Sequence, residues 1–446
     1  MRYVCQICGF VSPRWFGKCP NCGSWNTFVE EIEERRTTKK QKSSKSSTTQ
    51  ENKIIPADKV TLLPEEFRLK SGISEFDRVL GGGIVQSSVI LISGEPGVGK
   101  STLLLQVASK ISDKGKVIYA SSEESPVQIV SRLRRLKEKL NSNLYVCFEN
   151  NAERAFDQVS SLGDVSFVIL DSIQSFYSDE LESAPGTVSQ VRHIAIMCQE
   201  FARSKKIPIV IVGHVTKEGV VAGPKTLEHI VDVVLYIEPE GMWRVLRATK
   251  NRFGSTGEIG FFVMSESGLQ EVQNPNLFDL DILSIPGASL SCVMEGSRLY
   301  VVEVQALVSK THFPVPRRSA QGYDILRLNN IITVLEKFVG LTLYDKDVLV
   351  NIAGGIRVSD VSVDLAVVSS IVSSYYGIPL GRRVFFGEVG LLGEIRSSEF
   401  ADQKVSEVAK LKPTEIITGK TNSKLVKVFY NLKDFCAYIS KLPKIS

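Results

Sequence analysis

No stretch of this 446-residue chain approaches the ~20 consecutive apolar residues that a membrane-spanning helix needs. Its first residues, MRYVCQICGF, lack the charged segment and long apolar run of a signal peptide. Strong charge is missing as well, and a net +5 permits nucleic-acid binding without arguing for it. Nor do the eight cysteines suggest a disulfide framework. Four fall within the first 22 residues, whereas Cys147, Cys198, Cys292 and Cys436 are scattered among apolar neighbours. These absences predict a cytoplasmic protein in a reducing compartment, with no membrane partner and one metal site. With 43% hydrophobic residues, the chain is long enough for two or three domains, each with its own core.

The cysteine-rich start is the first positive signal. Cys5-x-x-Cys8 and Cys19-x-x-Cys22 lie ten residues apart, and two such knuckles complete a tetrahedral thiolate site. A segment as short as 1–28 cannot bury a core, so the metal would supply its folding energy. Zn²⁺ is the expected ion, and a rubredoxin-like iron site would use similar ligands. A thioredoxin-type redox pair needs a βαβ unit that this segment lacks. Arg14, Trp15, Phe16, Lys18 and Trp25 sit between and just beyond the knuckles. They either pack a minimal ribbon or stack bases and hold phosphates. Residues 29–55 are charged, polar and free of aromatics, which reads as a flexible linker.

The stretch SVILISGEPGVGKST (88–102) organises the rest of the chain. A β-rich run enters a glycine-bearing turn that fits G-x-x-x-x-G-K-S at Gly94, Gly99, Lys100 and Ser101. Such glycines let backbone N–H groups curl around a phosphate at a helix N-terminus. The loop Gly94, Glu95, Pro96, Gly97, Val98, Gly99, with Lys100, Ser101 and Thr102, is therefore the expected nucleotide cradle. Lys100 would reach the β- and γ-phosphates, and the Ser101 hydroxyl would bind Mg²⁺.

Continuous apolar strands then alternate with helices, the pattern of a parallel α/β sheet. Expected strands cover 116–125, 144–148, 167–171 and 207–214; expected helices cover 102–112, 126–140, 152–162 and 188–205. Ligands collect at the C-terminal ends of such strands. Asp171 matches the acid that organises Mg²⁺ beside a P-loop. Glu123 or Glu124 could orient the attacking water. His214 could sense the γ-phosphate, or be structural. Segments 175–187 and 216–232 read as loops over the site. Lys250 and Arg252, in KNRFG, suit an arginine-finger role toward a neighbouring subunit.

The knuckles, GEPGVGKS, YASSEES, VILDS and KNRFG occur in that order, and a further domain comes after them. Together they closely resemble the bacterial RadA (Sms) family of DNA repair proteins, RecA-type ATPases. The resemblance covers essentially the whole chain. It implies a RecA-like P-loop core over 56–274, preceded by a four-cysteine zinc ribbon (Cys5, Cys8, Cys19, Cys22). It also implies ATP, Mg²⁺ and Zn²⁺ as cofactors, with Lys100 and Ser101 binding ATP-Mg²⁺, Asp171 organising the metal and Glu123 as catalytic carboxylate. Lys250 and Arg252 would couple ATP and DNA between subunits. Single-stranded and branched DNA, a hexameric ring of identical chains and a RecA-type recombinase are the implied partners. DNA-stimulated ATP hydrolysis driving branch migration is the implied activity.

Residues 275–446 carry neither P-loop nor zinc spacing. Their strand and helix order resembles the α+β proteolytic domain of Lon-type proteases (ribosomal S5 domain 2-like). A Lon-type site needs a serine nucleophile and a lysine base. In the simplest alignment these positions hold Val363 and Asp402, although Ser362 and Lys404 lie nearby. The expectation is a non-proteolytic scaffold with a basic surface (Lys310, Arg317, Arg318, Arg382, Arg383). Two rival readings stand beside the DNA motor: an ATP-dependent peptidase, and a KaiC-like signalling ATPase indifferent to DNA.

Overall fold

The computed structural model describes residues 2–5, 10–21, 23, 25, 27–31, 68–214, 227–272, 278–279 and 281–443. The chain forms two compact units: Met1–Tyr236 with Thr249–Gly254, and Ile237–Ala248 with Ser255–Ser446. Among the described residues, no helix is long and apolar enough to cross a membrane.

The first unit begins with a small antiparallel sheet of β1 (Arg2–Cys5), β2 (Val11–Ser12) and β3 (Phe28–Glu31), in order β2-β1-β3. Cys5, Cys19 and Phe28 are its buried cluster, with Tyr3 packed against them. A short helix α1 (Ser74–Val79) precedes β4 (Val89–Gly94), whose six residues are all buried. Then come α2 (Lys100–Ile111), β5 (Lys116–Ser121), α3 (Pro126–Arg135), β6 (Leu144–Phe148) and α4 (Ala152–Leu162). β7 (Val165–Asp171), α5 (Val188–Lys205) and β8 (Ile209–Val212) complete the alternation. The strands run β4-β8-β7-β5-β6, every neighbouring pair parallel. Helix α2 buries Leu103, Leu104, Leu105, Val107, Ala108 and Ile111 completely. A helix apolar on so many sides belongs inside a layered α/β unit.

Helix α3 ends at Arg135 and not at residue 140. Lys137 adopts a left-handed φ of +58°, and the Glu138 N–H turns back to the Leu133 carbonyl at 3.0 Å. The basic periodicity continues past that point, but the backbone has already closed. The loop expected at 216–232 falls mostly on 216–226, outside the described residues.

The second unit takes in parts of β9 (Val233–Glu240) and β10 (Trp243–Asn251), with β11 (Ile259–Ser265) and β12 (Gly268–Glu271). Its main sheet comprises β13 (Ala288–Glu295), β14 (Arg298–Lys310), β15 (Arg318–Gln321), β16 (Lys346–Ile352), β17 (Arg383–Phe386), β20 (Glu415–Thr418) and β21 (Lys427–Val428). The order is β15-β16-β14-β13-β17-β20-β21, mixing parallel and antiparallel pairs. β18 (Glu388–Val389) and β19 (Ile395–Arg396) form a separate hairpin. Alternate residues of β14 face two cores: Tyr300, Val302, Val304 and Ala306 join one, Val301 the other. This is the period-two pattern of a strand buried on both faces.

One central helix, Asp364–Tyr376, is buried although rich in serine. Each of its three buried hydroxyls finds an acceptor: Ser369 donates to Leu365 O, Ser370 to Val304 O and Ser373 to Ile378 O. A buried hydroxyl is tolerated when it is paired in this way.

Candidate functional site

Strand β4 delivers the chain into a loop that only glycine follows easily. Gly97 and Gly99 hold φ of +78° and +115°, in the left-handed region. Helix α2 starts immediately afterwards, so its free N–H groups open onto the loop. The loop is tied by a Val98 N–H to Glu95 O bond of 3.3 Å. The Lys100 ammonium folds back and donates to the carbonyls of Gly94 (2.9 Å) and Glu95 (3.0 Å). Lys100 is 4% exposed. Burial lowers its pKa, while the nearby Asp171 and Glu123 carboxylates act in the opposite direction.

Ser101 and Asp171, the expected metal ligands, converge on one phenol. The Tyr119 hydroxyl donates to Asp171 Oδ2 at 2.5 Å, and Ser101 is close enough to act on its proton in the opposite sense. Complete burial raises the Tyr119 pKa far above its ordinary value, so the phenol stays protonated and can donate.

Strand pairing sets the second carboxylate beside the first. Ser121 of β5 stands opposite Asp171 of β7, and Glu123 lies two residues further on. Its carboxylate accepts hydrogen bonds from Ser172 and from Ser175 (3.1 Å), and lies 3.6 Å from His214 Nε2. The His214 imidazole, helped by the two serines, outweighs burial and holds its pKa down at about 2. Glu124 has a different partner, the Arg132 guanidinium on α3. The two candidates that sequence left equivalent are thus in different surroundings.

A nucleotide and Mg²⁺ fit this arrangement on an observation independent of the motif. Among the described residues, His214 Nδ1 and Gln174 Oε1 are buried without a hydrogen-bond partner. Both belong to one cluster, since Gln174 Nε2 donates to the His214 carbonyl at 3.4 Å. Orphaned buried polar atoms beside a P-loop are what a phosphate and its water shell would satisfy.

Lys250 and Arg252 are not turned toward this unit's own P-loop partners. The Lys250 ammonium donates to the carbonyls of Glu228 and Val231, the latter at 2.8 Å. Burial and the neighbouring Arg252 charge lower its pKa. Arg252 pairs with Asp232 at 3.0 Å, and the other oxygen of Asp232 accepts the Val89 N–H at 3.0 Å.

In the ribbon, Cys5 and Cys19 are buried in one cluster, and Cys5 Sγ lies 3.2 Å from Thr27 Oγ1. Cys8 and Cys22 lie outside the described residues. Two buried, clustered thiols from the two knuckles suit half of a tetrathiolate set.

In the second unit, Ser362 and Lys404 meet. The Lys404 ammonium donates to Ser362 Oγ (2.6 Å), Ser398 Oγ (2.8 Å) and Asp360 Oδ2 (2.5 Å). Lys404 is fully buried, and its three hydrogens have three acceptors. Burial opposes the Asp360 charge, yet Lys404 and backbone N–H bonds from Met294 and Ser362 keep its pKa below the ordinary value. A general base needs a free lone pair; an ammonium held by a carboxylate has none. Of the expected basic surface, Arg317 pairs with Asp347 and Arg383 with Glu415. Arg318 and Arg382 donate to backbone carbonyls. These four are mainly engaged within their own unit.

Sequence reasoning missed Tyr119, Gln174, Ser172, Ser175 and Arg132. The three just after Asp171 were reachable, since site residues cluster behind a strand-end acid. Tyr119 was not, because it reads as one more apolar strand residue.

The fold and the loop define the class: a P-loop ATPase with a RecA-like core, preceded in sequence by a zinc ribbon. Residues 56–220 match the family model described as an AAA domain, and residues 3–30 match the rubredoxin metal binding domain. The chain is 46% identical over 416 residues to DNA repair protein RadA of Bacillus subtilis, covering 92% of this chain and 90% of that protein. DNA repair protein RadA of Aquifex aeolicus is 44% identical over 419 residues, with the same coverages. That of Streptococcus pyogenes serotype M3 is 42% identical over 423 residues, covering 94% and 92%. The chain belongs to the RadA family of DNA repair proteins.

Proposed function

We propose that this protein is a DNA-stimulated ATPase of homologous recombination. In this reading a ring of identical chains, with six the expected number, moves on single-stranded DNA and promotes branch migration. The observation that carries the hydrolytic part is the convergence of Lys100, Ser101, Asp171 and Glu123 at adjoining strand ends. Lys100 would hold the β- and γ-phosphates, and Ser101 with Asp171 would hold Mg²⁺, which supplies charge neutralisation when bound. Glu123 would orient the attacking water, with His214 and Gln174 facing the γ-phosphate. The low pKa of Glu123 suits orientation better than proton abstraction, and a loose phosphoryl-transfer transition state asks for little base.

Lys250 and Arg252 would complete the site of a neighbouring chain. The ribbon would hold Zn²⁺ on Cys5, Cys8, Cys19 and Cys22. Domain limits at 28, 55 and 274 are part of this proposal, as is the non-proteolytic role of residues 275–446. The saturated Lys404 ammonium favours that role over a peptidase.

Phosphate release with and without single-stranded DNA tests the proposal. The expected result is a several-fold rise with DNA and loss of turnover in Lys100→Ala. A rate indifferent to DNA would favour the signalling ATPase, and full turnover in Lys100→Ala would refute the P-loop assignment.

A further inference from the structure

The ribbon's aromatic residues divide into two kinds. Phe10 and Phe16 present their rings edge-on to Phe28, with centroids 6.4 and 5.9 Å away. They supply the packing a ribbon this small needs. Trp15 and Trp25 lie further out, 53% and 69% exposed against 37% and 42% for Phe10 and Phe16. The Trp15 indole N–H donates to the Phe28 carbonyl at 3.3 Å, which fixes the ring while leaving its face in solvent. Both indoles come within 4 Å of the same point above Gly17, so they stand side by side there. The Lys18 ammonium sits 5.5 Å from the Trp25 ring centroid.

We infer that Trp15 and Trp25, with Lys18, form a base-stacking subsite for single-stranded nucleic acid. Large apolar faces held out in water mark an interaction site. Two exposed indoles with a cation over one of them match the chemistry of sequence-tolerant strand binding, where rings take bases and cations take phosphates. The local cations favour a nucleic acid over an apolar peptide as occupant: Lys18 stands beside the Trp25 ring and Arg14 directly precedes Trp15, whereas the ribbon's acids, Glu30 and Glu31, come at the end of β3. The inference rests on the proposal that this protein acts on DNA, and it names the element that touches the bases.

The test uses the full chain, its intrinsic fluorescence and an oligothymidylate. The sequence holds three tryptophans, and the third, Trp243, is 8% exposed. Oligothymidylate should therefore quench the emission of the other two, and Trp243→Phe should keep that quenching. Trp25→Ala should weaken binding by roughly 5- to 150-fold, the range of one stacked base. Trp25→Phe should restore most of the affinity, and zinc content should stay at one equivalent in both variants. Unchanged affinity in zinc-replete Trp25→Ala, or binding without quenching, overturns the inference and leaves DNA binding elsewhere on the chain. Failure of the wild-type protein to bind oligothymidylate at all would overturn the underlying DNA reading instead.

Discussion

Replacing Glu123 with glutamine tests the assignment of the two adjacent carboxylates. The substitution removes the charge and keeps the shape. Ser172, Ser175 and His214 all converge on Glu123, whereas Glu124 is held by Arg132. A positioned general base contributes about 10²–10⁴ in rate. A carboxylate whose pKa is about 2 accepts a proton poorly at neutral pH, so the loss should sit at the lower end, near 10² in kcat. Nucleotide affinity should hold, because the phosphate cradle is untouched. The assay is phosphate release at saturating ATP, paired with binding of a fluorescent nucleotide. The pH dependence has a defined sign. The folded pKa lies below its ordinary value of 4.5, so the stability Glu123 contributes is complete above that value and drains away as pH falls towards about 2. No acid limb of the rate near neutrality should come from Glu123. If Glu124→Gln produced the hundredfold loss and Glu123→Gln kept most turnover, the assignment would be wrong.

Buried groups give two further expected outcomes. Cys19→Ser should remove about one equivalent of zinc per chain, measured by metal analysis, since the thiolate set is incomplete without it; retained metal would count against the ribbon. Lys404→Met leaves the Asp360 carboxylate without its cation and should cost about 3–5 kcal/mol in guanidinium unfolding. Adding Asp360→Asn should recover part of that loss. Casein should remain intact with the wild-type protein, and cleavage abolished by Ser362→Ala would sink the saturated-lysine argument.

Much of the fold was legible because the parallel sheet writes itself in continuous apolar runs. Helix α4 and strand β6 fall on their expected residues, and α5 is as expected from Val188 to Lys205. The end of α3 was not legible, because a left-handed Lys137 leaves no mark in a run of basic residues. At the site, a glycine spacing announces the phosphate cradle, but spacing cannot tell Glu123 from Glu124. The partners of Glu123 come from 49 and more positions away, brought together by strand pairing, whereas Glu124 is held by Arg132 eight residues on. The same holds for Ser362 and Lys404. Neither residue is informative alone, and only packing reveals that the lysine is saturated.

The two oxygens of Asp232 have separate tasks: one steadies the root of the P-loop strand, the other keeps Arg252 at rest. Arg252 is 47% exposed along its side chain while Asp232 is 8% exposed, so the pair joins a solvated guanidinium to a largely buried carboxylate. Asp232 keeps its backbone donor when the arginine leaves. The Val89 bond would then still hold the strand in place. Arg252 is parked on this carboxylate, available to any stronger anion within its reach, and the phosphate cradle does not slacken when it goes.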